Sequence, residues 1–283
     1  MVKIVDPHLH LFDLSKGNYG WLKPQNPPNW PDKHKINQNF SQDDLILNSG
    51  LELSGFVHVE AGFDNDNPEN EVKWLTQTCD KLFAAVACVN LTLTPSTFSK
   101  QIQKIKSYSK ARGVRHILDQ QAIQILSNKQ CITNLNTLAE AGLSFDAQFS
   151  IADKQACLLL IEQLKRQPKA KMIINHAGFP TQNNYQQWRE NLNLFANIDN
   201  LTVKCSGFEM INRQYQTQWV KQIIEDCLAV FGKNKVMLAS NFPLCIFSKS
   251  YQHYWQMIID IAHSIEPEIE QQLCCDNAKR VYG

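Results

Sequence analysis

The feature that most constrains this chain is an alternation: a short apolar run, then a longer amphipathic one, repeated eight times in 283 residues. Short apolar runs bounded by turn residues read as buried strands. They fall at 2–8, 54–60, 83–89, 112–118, 144–149, 171–176, 201–206 and 235–240. Helical spacing follows at 41–49, 68–81, 95–110, 120–141, 153–166, 184–197, 214–231 and 250–273. Asn67-Pro68 and Thr94-Pro95 each read as an N-cap followed by a first-turn proline. Asp153 can cap the run bearing Cys157, Leu160, Ile161 and Leu164. Trp219, Ile223, Cys227 and Phe231 form a buried stripe ended by Gly232. Eight strand–helix units in a chain of this size predict an α/β fold, a (β/α)8 TIM barrel forming a single domain over residues 1–283.

One stretch exceeds that plan. The loop from Leu11 to Phe40, after the first strand, carries Tyr19, Trp21 and Trp30 and four prolines, Pro24, Pro27, Pro28 and Pro31. It is too long and too aromatic for a plain connector. It is expected to lie over the barrel mouth as a stiff lid, with Trp21 against the substrate.

In a strand, residues two apart share a face. Asp6, His8 and His10 therefore point one way at the end of the first strand. Two imidazoles so placed can occupy two positions around one metal ion. The same alternation puts His58 and Glu60 opposite Val57 and Val59, Asp146 and Gln148 opposite Ala147 and Phe149, and His176 on the face of Ile174. Lys204 opposes Val203 and Cys205, and Arg115 opposes His116, so that only one of the latter pair points in. An inward polar set results: Asp6, His8, His10, His58, Glu60, Arg115, Asp146, Gln148, His176, Lys204 and Asn241. Nearly all stand at the C-terminal halves of their strands, where barrels keep their chemistry. So many polar groups are costly to bury dry, so a water- or ligand-filled mouth is expected.

Composition removes several partners. With 28 basic and 27 acidic residues the net charge is +1, too balanced for nucleic acid or an anionic membrane. The longest apolar run, Leu82 to Val89, is too short to cross a bilayer. Nine scattered cysteines with no C-x-x-C pair read as reduced core residues, and with no leader before the first strand a cytoplasmic protein is expected. The apolar helix faces allow a homodimer.

Six segments together resemble the amidohydrolase superfamily, in the branch of TIM-barrel hydrolases that includes sugar lactonases and pyrone-dicarboxylate lactonases. They are Val5-Asp6-Pro7-His8-Leu9-His10, Ala111-Arg112-Gly113-Val114-Arg115-His116, Asn175-His176-Ala177-Gly178-Phe179-Pro180, Val203-Lys204-Cys205-Ser206-Gly207, Ser240-Asn241-Phe242-Pro243, and Asp276 through Gly283. The resemblance implies a site of His8, His10, His176 and residue 241, holding a divalent ion, zinc foremost, or in some lactonases of the branch no metal. It implies a hydrolase opening a lactone or related cyclic ester of a small polar or carboxylated substrate. Asn241 departs from the family's aspartate, and an amide cannot act as a base at neutral pH. Asn175 likewise replaces a common aspartate, and no inward lysine on the fourth strand supports a binuclear centre. Glu60 is then the first candidate for the general base, with Asp6 or Asp146 next, and Asn241 can still orient water through its carbonyl oxygen. Arg115 is expected to grip a carboxylate or hydroxyls, with His58, Gln148 and Lys204 as further substrate contacts. Two other readings stand beside this one: a metal-dependent decarboxylase of the same superfamily, and a non-catalytic small-molecule-binding barrel that lost its strand-eight carboxylate.

Overall fold

A computed structural model describes residues 1–283. Eight parallel strands form one sheet in sequential order: β1 Val2–Leu9, β2 Leu51–Val59, β3 Leu82–Cys88, β4 Ala111–Ile117, β5 Ser144–Gln148, β6 Lys171–Ile174, β7 Leu201–Cys205 and β8 Val236–Leu238. The ends of the sheet meet. Asn241 N donates to His8 O at 2.9 Å and His10 N to Phe242 O at 2.6 Å, so the chain just beyond β8 closes onto β1. Asp6 bolts the same seam, accepting from Ser240 N at 3.1 Å and Ser240 Oγ at 2.5 Å. The architecture is the expected (β/α)8 barrel.

The connecting helices are α1 Glu69–Thr78, α2 Pro95–Lys106, α3 Ala122–Leu126, α4 Lys129–Ala141, α5 Lys154–Arg166, α6 Tyr185–Leu192, α7 Phe208–Ile211, α8 Thr217–Phe231, α9 Tyr251–Ile265 and α10 Asn277–Tyr282. Two of their starts follow the sequence logic, but α1 does not: Pro68 itself stands at its N-cap, and the Asn67 side chain turns to Asp64 instead of capping it. Thr94 caps α2 with Pro95 in its first turn, and the Asp153 carboxylate accepts from Gln155 N and Ala156 N at the head of α5. One expected helix is absent. Residues 41–49 hold only a single 3-10 turn, Gln42–Asp44, closed by a Ser41–Asp44 capping box, so no α-helix separates β1 from β2. The 41–49 stretch is short, and its capped turn satisfies its polar backbone without a helix.

Two apolar clusters show which strand face looks in. The larger joins the outer strand face to the helices. The smaller unites Val5, Val57, Val59, Ala84, Val86, Ile173 and Met237 with Cys275, Ala278 and Tyr282. No residue of α1–α9 enters it, so it is the barrel's inner packing, stoppered by the C-terminal helix α10. This corrects the alternation on β2 and β6: Val57, Val59 and Ile173 face in, while Phe56 and Ile174 face out.

The loop from residue 11 to 40 is itself folded. The Lys33 ammonium, 5% exposed, donates to the carbonyls of Trp21 at 3.0 Å, Lys23 at 3.3 Å and Asn26 at 2.6 Å. Asp32 anchors the loop to the barrel through the Arg213 guanidinium, which stacks 4.0 Å over the Phe247 ring.

Candidate active site

A cavity of about 1140 Å3 opens at the C-terminal ends of the strands. Its floor includes His10, Glu60, Arg115, Gln148, His176 and Asn241, and its rim Trp21, Pro27, Pro28, Trp30, Phe179 and Leu244. The long loop thus walls the mouth as expected, although the Trp21 indole N–H is committed to Ala61 O at 2.7 Å. Four lining residues outside glycine hold left-handed backbone: Asp119 at φ 36, His176 at φ 55, Phe179 at φ 58 and Asn241 at φ 59. Such conformations are uncommon away from glycine and gather at functional sites.

Three imidazoles meet at the base of this mouth: His10 and His176 line it, and His8 lies fully buried behind them. His8 lies with its ring centroid 5.1 Å from that of His10 and 4.6 Å from that of His176. β1 brings in the first two. His176 arrives by another route than alternation: β6 stops at Ile174, and the left-handed turn at His176 and Ala177 swings the ring inward. His10 Nδ1 bonds Val59 O at 2.7 Å and His176 Nδ1 bonds Ser206 Oγ at 2.9 Å, so in each ring Nε2 is the nitrogen left for a ligand. Burial holds all three neutral. His8 and His10 fall well below the usual histidine range, with Lys204 adding to the effect on His8 and Arg115 on His10. His176 drops to about 3, by burial and then by Arg115.

The atoms of these three rings decide whether the set suits a cation. As the side chains stand, they do not close into a group of three ready donors. Yet both nitrogens of His8 are buried without any partner, which is costly unless something else satisfies them. Neutral imidazoles oriented by a hydrogen bond at Nδ1 are also what a zinc site uses. The three histidines therefore fit a divalent ion in donor chemistry.

Arg115 and Glu60 form the second constellation. Arg115 Nε donates to Glu60 Oε1 at 2.7 Å, Nη2 to Glu60 O at 2.8 Å, and Nη1 to Gln148 Oε1 at 3.0 Å. Both side-chain contacts to Glu60 fall on Oε1, which leaves Oε2 without a protein partner. Burial raises the Glu60 carboxyl, against the opposing pull of Arg115. Arg115 is thus already engaged and is not free to fork onto a substrate carboxylate.

Four residues expected at the site lie elsewhere. His58 faces outward between β2 and α1, with Nε2 3.0 Å from Glu71 Oε1 and Nδ1 accepting from Leu11 N at 3.2 Å. A doubly buried strand is apolar on both faces, so alternation alone could not tell in from out. Lys204 is wholly buried in an ion pair with Asp146 at 2.5 Å, and Tyr282 OH from α10 donates to the same carboxylate. Neither Lys204 nor Asp146 borders the cavity. Asp6 is equally enclosed; burial raises its carboxyl to about 6, but its oxygens serve Ser240 and His8 N, so its place is in the barrel seam and not against substrate.

One residue escaped sequence reasoning. Glu209, on the four-residue helix α7 just after β7, is fully buried, and its Oε1 accepts from Asn241 Nδ2 at 2.6 Å. Burial raises it to about 7, with the Asn241 bond opposing. No motif marks it; the only available hint was the missing carboxylate at 241, which called for one nearby.

This geometry can be set beside known proteins. An uncharacterised protein of Sinorhizobium fredii, y4mH, is 26% identical over 295 aligned positions, covering 99% of this chain and 98% of that one. A Burkholderia multivorans amidohydrolase solved with bound zinc superposes with a TM-score of 0.81 at 17% identity, covering 99% and 98% of the two chains. A Pseudomonas putida protein proposed as a 2-pyrone-4,6-dicarboxylic acid hydrolase gives 0.73 at 19% identity, covering 100% and 98%. Aromatic-acid decarboxylases share the fold as well, at 0.66 and 0.64. At such identities the structures establish the fold alone. The sequence itself goes further: the amidohydrolase family model matches residues 5–283, and with it the chain belongs to the amidohydrolase family.

Proposed function

We propose that this protein is a hydrolase that opens the ring of a neutral, hydroxyl-rich lactone. The observation that carries the substrate class is the charge inventory of the cavity. Its charged lining residues are Glu60, Asp119, Asp153 and Arg115, and the one guanidinium is already bound by Glu60 and Gln148. A dicarboxylate would find no free lysine and only the remaining N–H of Arg115 Nη1 to grip it. A neutral polyol finds acceptors and donors on the floor and apolar ring faces at Trp21 and Trp30. The same inventory disfavours the decarboxylase reading, whose substrate is itself a carboxylate.

His8, His10 and His176 would hold a divalent ion. The chemistry such an ion supplies when bound is polarisation of the ester carbonyl and acidification of water. Glu60 Oε2 takes the proton of the attacking water, and Arg115 fixes that carboxylate in place through Oε1. Asn241 cannot take a proton but offers an acceptor that orients the water. The loop of Trp21 and Trp30 excludes bulk water. Ring opening converts a neutral substrate into an anionic hydroxy acid, and the acidic groups at Asp119 and Asp153 favour its departure.

The test is a panel of neutral sugar lactones and of lactones bearing carboxylates, run on protein purified without chelator, metal-stripped protein and Glu60→Gln. Hydrolysis of neutral lactones, lost in Glu60→Gln and on metal stripping, is the expected result. Preference for dicarboxylates, or ring opening untouched by Glu60→Gln, refutes it. Sugar lactones that raise the melting temperature without being opened would support the non-catalytic binding barrel instead.

A further inference from the structure

The carboxylate missing from position 241 has a counterpart directly behind it. Glu209 is 0% exposed and Asn241 is 1% exposed. Glu209 comes from the helix after β7 and Asn241 from the turn after β8, where the left-handed backbone at φ 59 turns the amide toward the cavity. The contact between Glu209 Oε1 and Asn241 Nδ2, 2.6 Å, is the only side-chain hydrogen bond that Glu209 makes. No cation is paired with this carboxylate: the nearby Arg213 guanidinium goes to Asp32 and to the backbone oxygen of Glu209. Its second oxygen, Oε2, is buried and unpartnered. A buried carboxylate kept with one partner and one orphaned oxygen is expensive, and a fold retains such a group where it does something.

We propose that Glu209 is a positioning residue that fixes the side-chain amide of Asn241. Glu209 Oε1 accepts from Nδ2 and so selects that end of the amide. The other end of the amide, the acceptor Oδ1, is then left for the mouth, which Asn241 lines together with His10 and His176. Without Glu209 the amide can turn over and present a donor, which orients a water the wrong way round. The pair divides the work of one aspartate: position 241 supplies the acceptor and Glu209 its direction.

Four variants test this: Glu209→Met, which removes the acceptor; Glu209→Gln, which retains one; Asn241→Asp; and Asn241→Asp with Glu209→Gln. The kinetic arm rests on the lactonase reading. Glu209→Met is expected to lower kcat about 10- to 100-fold, the range for groups that orient a site residue, with KM little changed. Glu209→Gln should recover most of that loss. The stability arm is independent of any substrate. Asn241→Asp sets two carboxylates in contact and should lower the melting temperature, whereas the double variant exchanges donor and acceptor and should regain it. Additive changes in melting temperature overturn the proposal whether or not any lactone is opened. A recovered melting temperature together with an unchanged kcat in Glu209→Met overturns it too, because the contact is then structural only. If wild type opens no lactone, the lactonase reading falls and the stability cycle alone decides the contact. Should Glu209→Met not fold, Glu209→Gln and the cycle still decide.

Discussion

Gly207 offers a sharp test of how His176 is held. It sits at φ +69 in the turn after β7, and a Cβ built there would stand 2.5 Å from His176 Nδ1 and 2.9 Å from Cγ. Gly207→Ala therefore does two things. It places an alanine in left-handed backbone, at roughly 1–2 kcal/mol. It also drives the imidazole back by about 1 Å, since ordinary contact needs about 3.5 Å. That shift strains the 2.9 Å bond from His176 Nδ1 to Ser206 Oγ. A misplacement of about 1 Å at a reacting centre costs about 100-fold. Gly142→Ala is the control: it has a similar φ of +72 at the end of α4, with nothing within 4 Å of the added carbon. Both variants should melt a few degrees lower, about 2–4 °C per kcal/mol. Only Gly207→Ala should lose kcat/KM toward a lactone, and with it the melting-temperature rise expected when zinc is added to metal-stripped protein. Equal losses in the two variants, or wild-type turnover in Gly207→Ala, would refute the reasoning.

Three further outcomes follow from the side chains that the structure moves away from the mouth or into its wall. Lys204→Met strands the Asp146 carboxylate in the barrel interior and should cost about 3–5 kcal/mol in denaturant unfolding, while adding Asp146→Leu should return most of it. His58→Phe breaks contacts to Glu71 and Leu11 and should lower stability by about 1–3 kcal/mol with kcat unchanged; a collapse in kcat at full stability would show that the ring faces the substrate after all. Lys33→Met leaves three carbonyls of the 11–40 loop without their donor. Limited proteolysis should then cut this loop first and KM should rise, and a cleavage pattern identical to wild type would count against the ammonium as its organiser.

Much of the fold was legible because its signal is local. The eight strands fall within a few residues of the apolar runs, and caps at Thr94 and Asp153 begin helices where their side chains demand it. Inward facing was less legible. Val57 and His58 both lie on a strand buried on two faces, and only the tertiary clusters tell which is inside. For His176 alternation reaches the right face by the wrong route: it pairs the ring with Ile174, which faces out, and the left-handed turn reverses this. Backbone reversals of that kind leave little trace outside glycine. Glu209 was hidden for a different cause, since a four-residue helix has no period to detect.

The left-handed corners at Asp119, His176, Phe179 and Asn241 also bear on how this mouth can change over evolutionary time. At each of them the main chain screens the residue before chemistry does, and β-branched side chains are penalised there. Ile117, Met210 and Leu244 border the same cavity on ordinary backbone and face no such screen. Drift in substrate preference should therefore accumulate at these three positions while the corners stay nearly fixed, and a library built to redirect the enzyme would diversify them first.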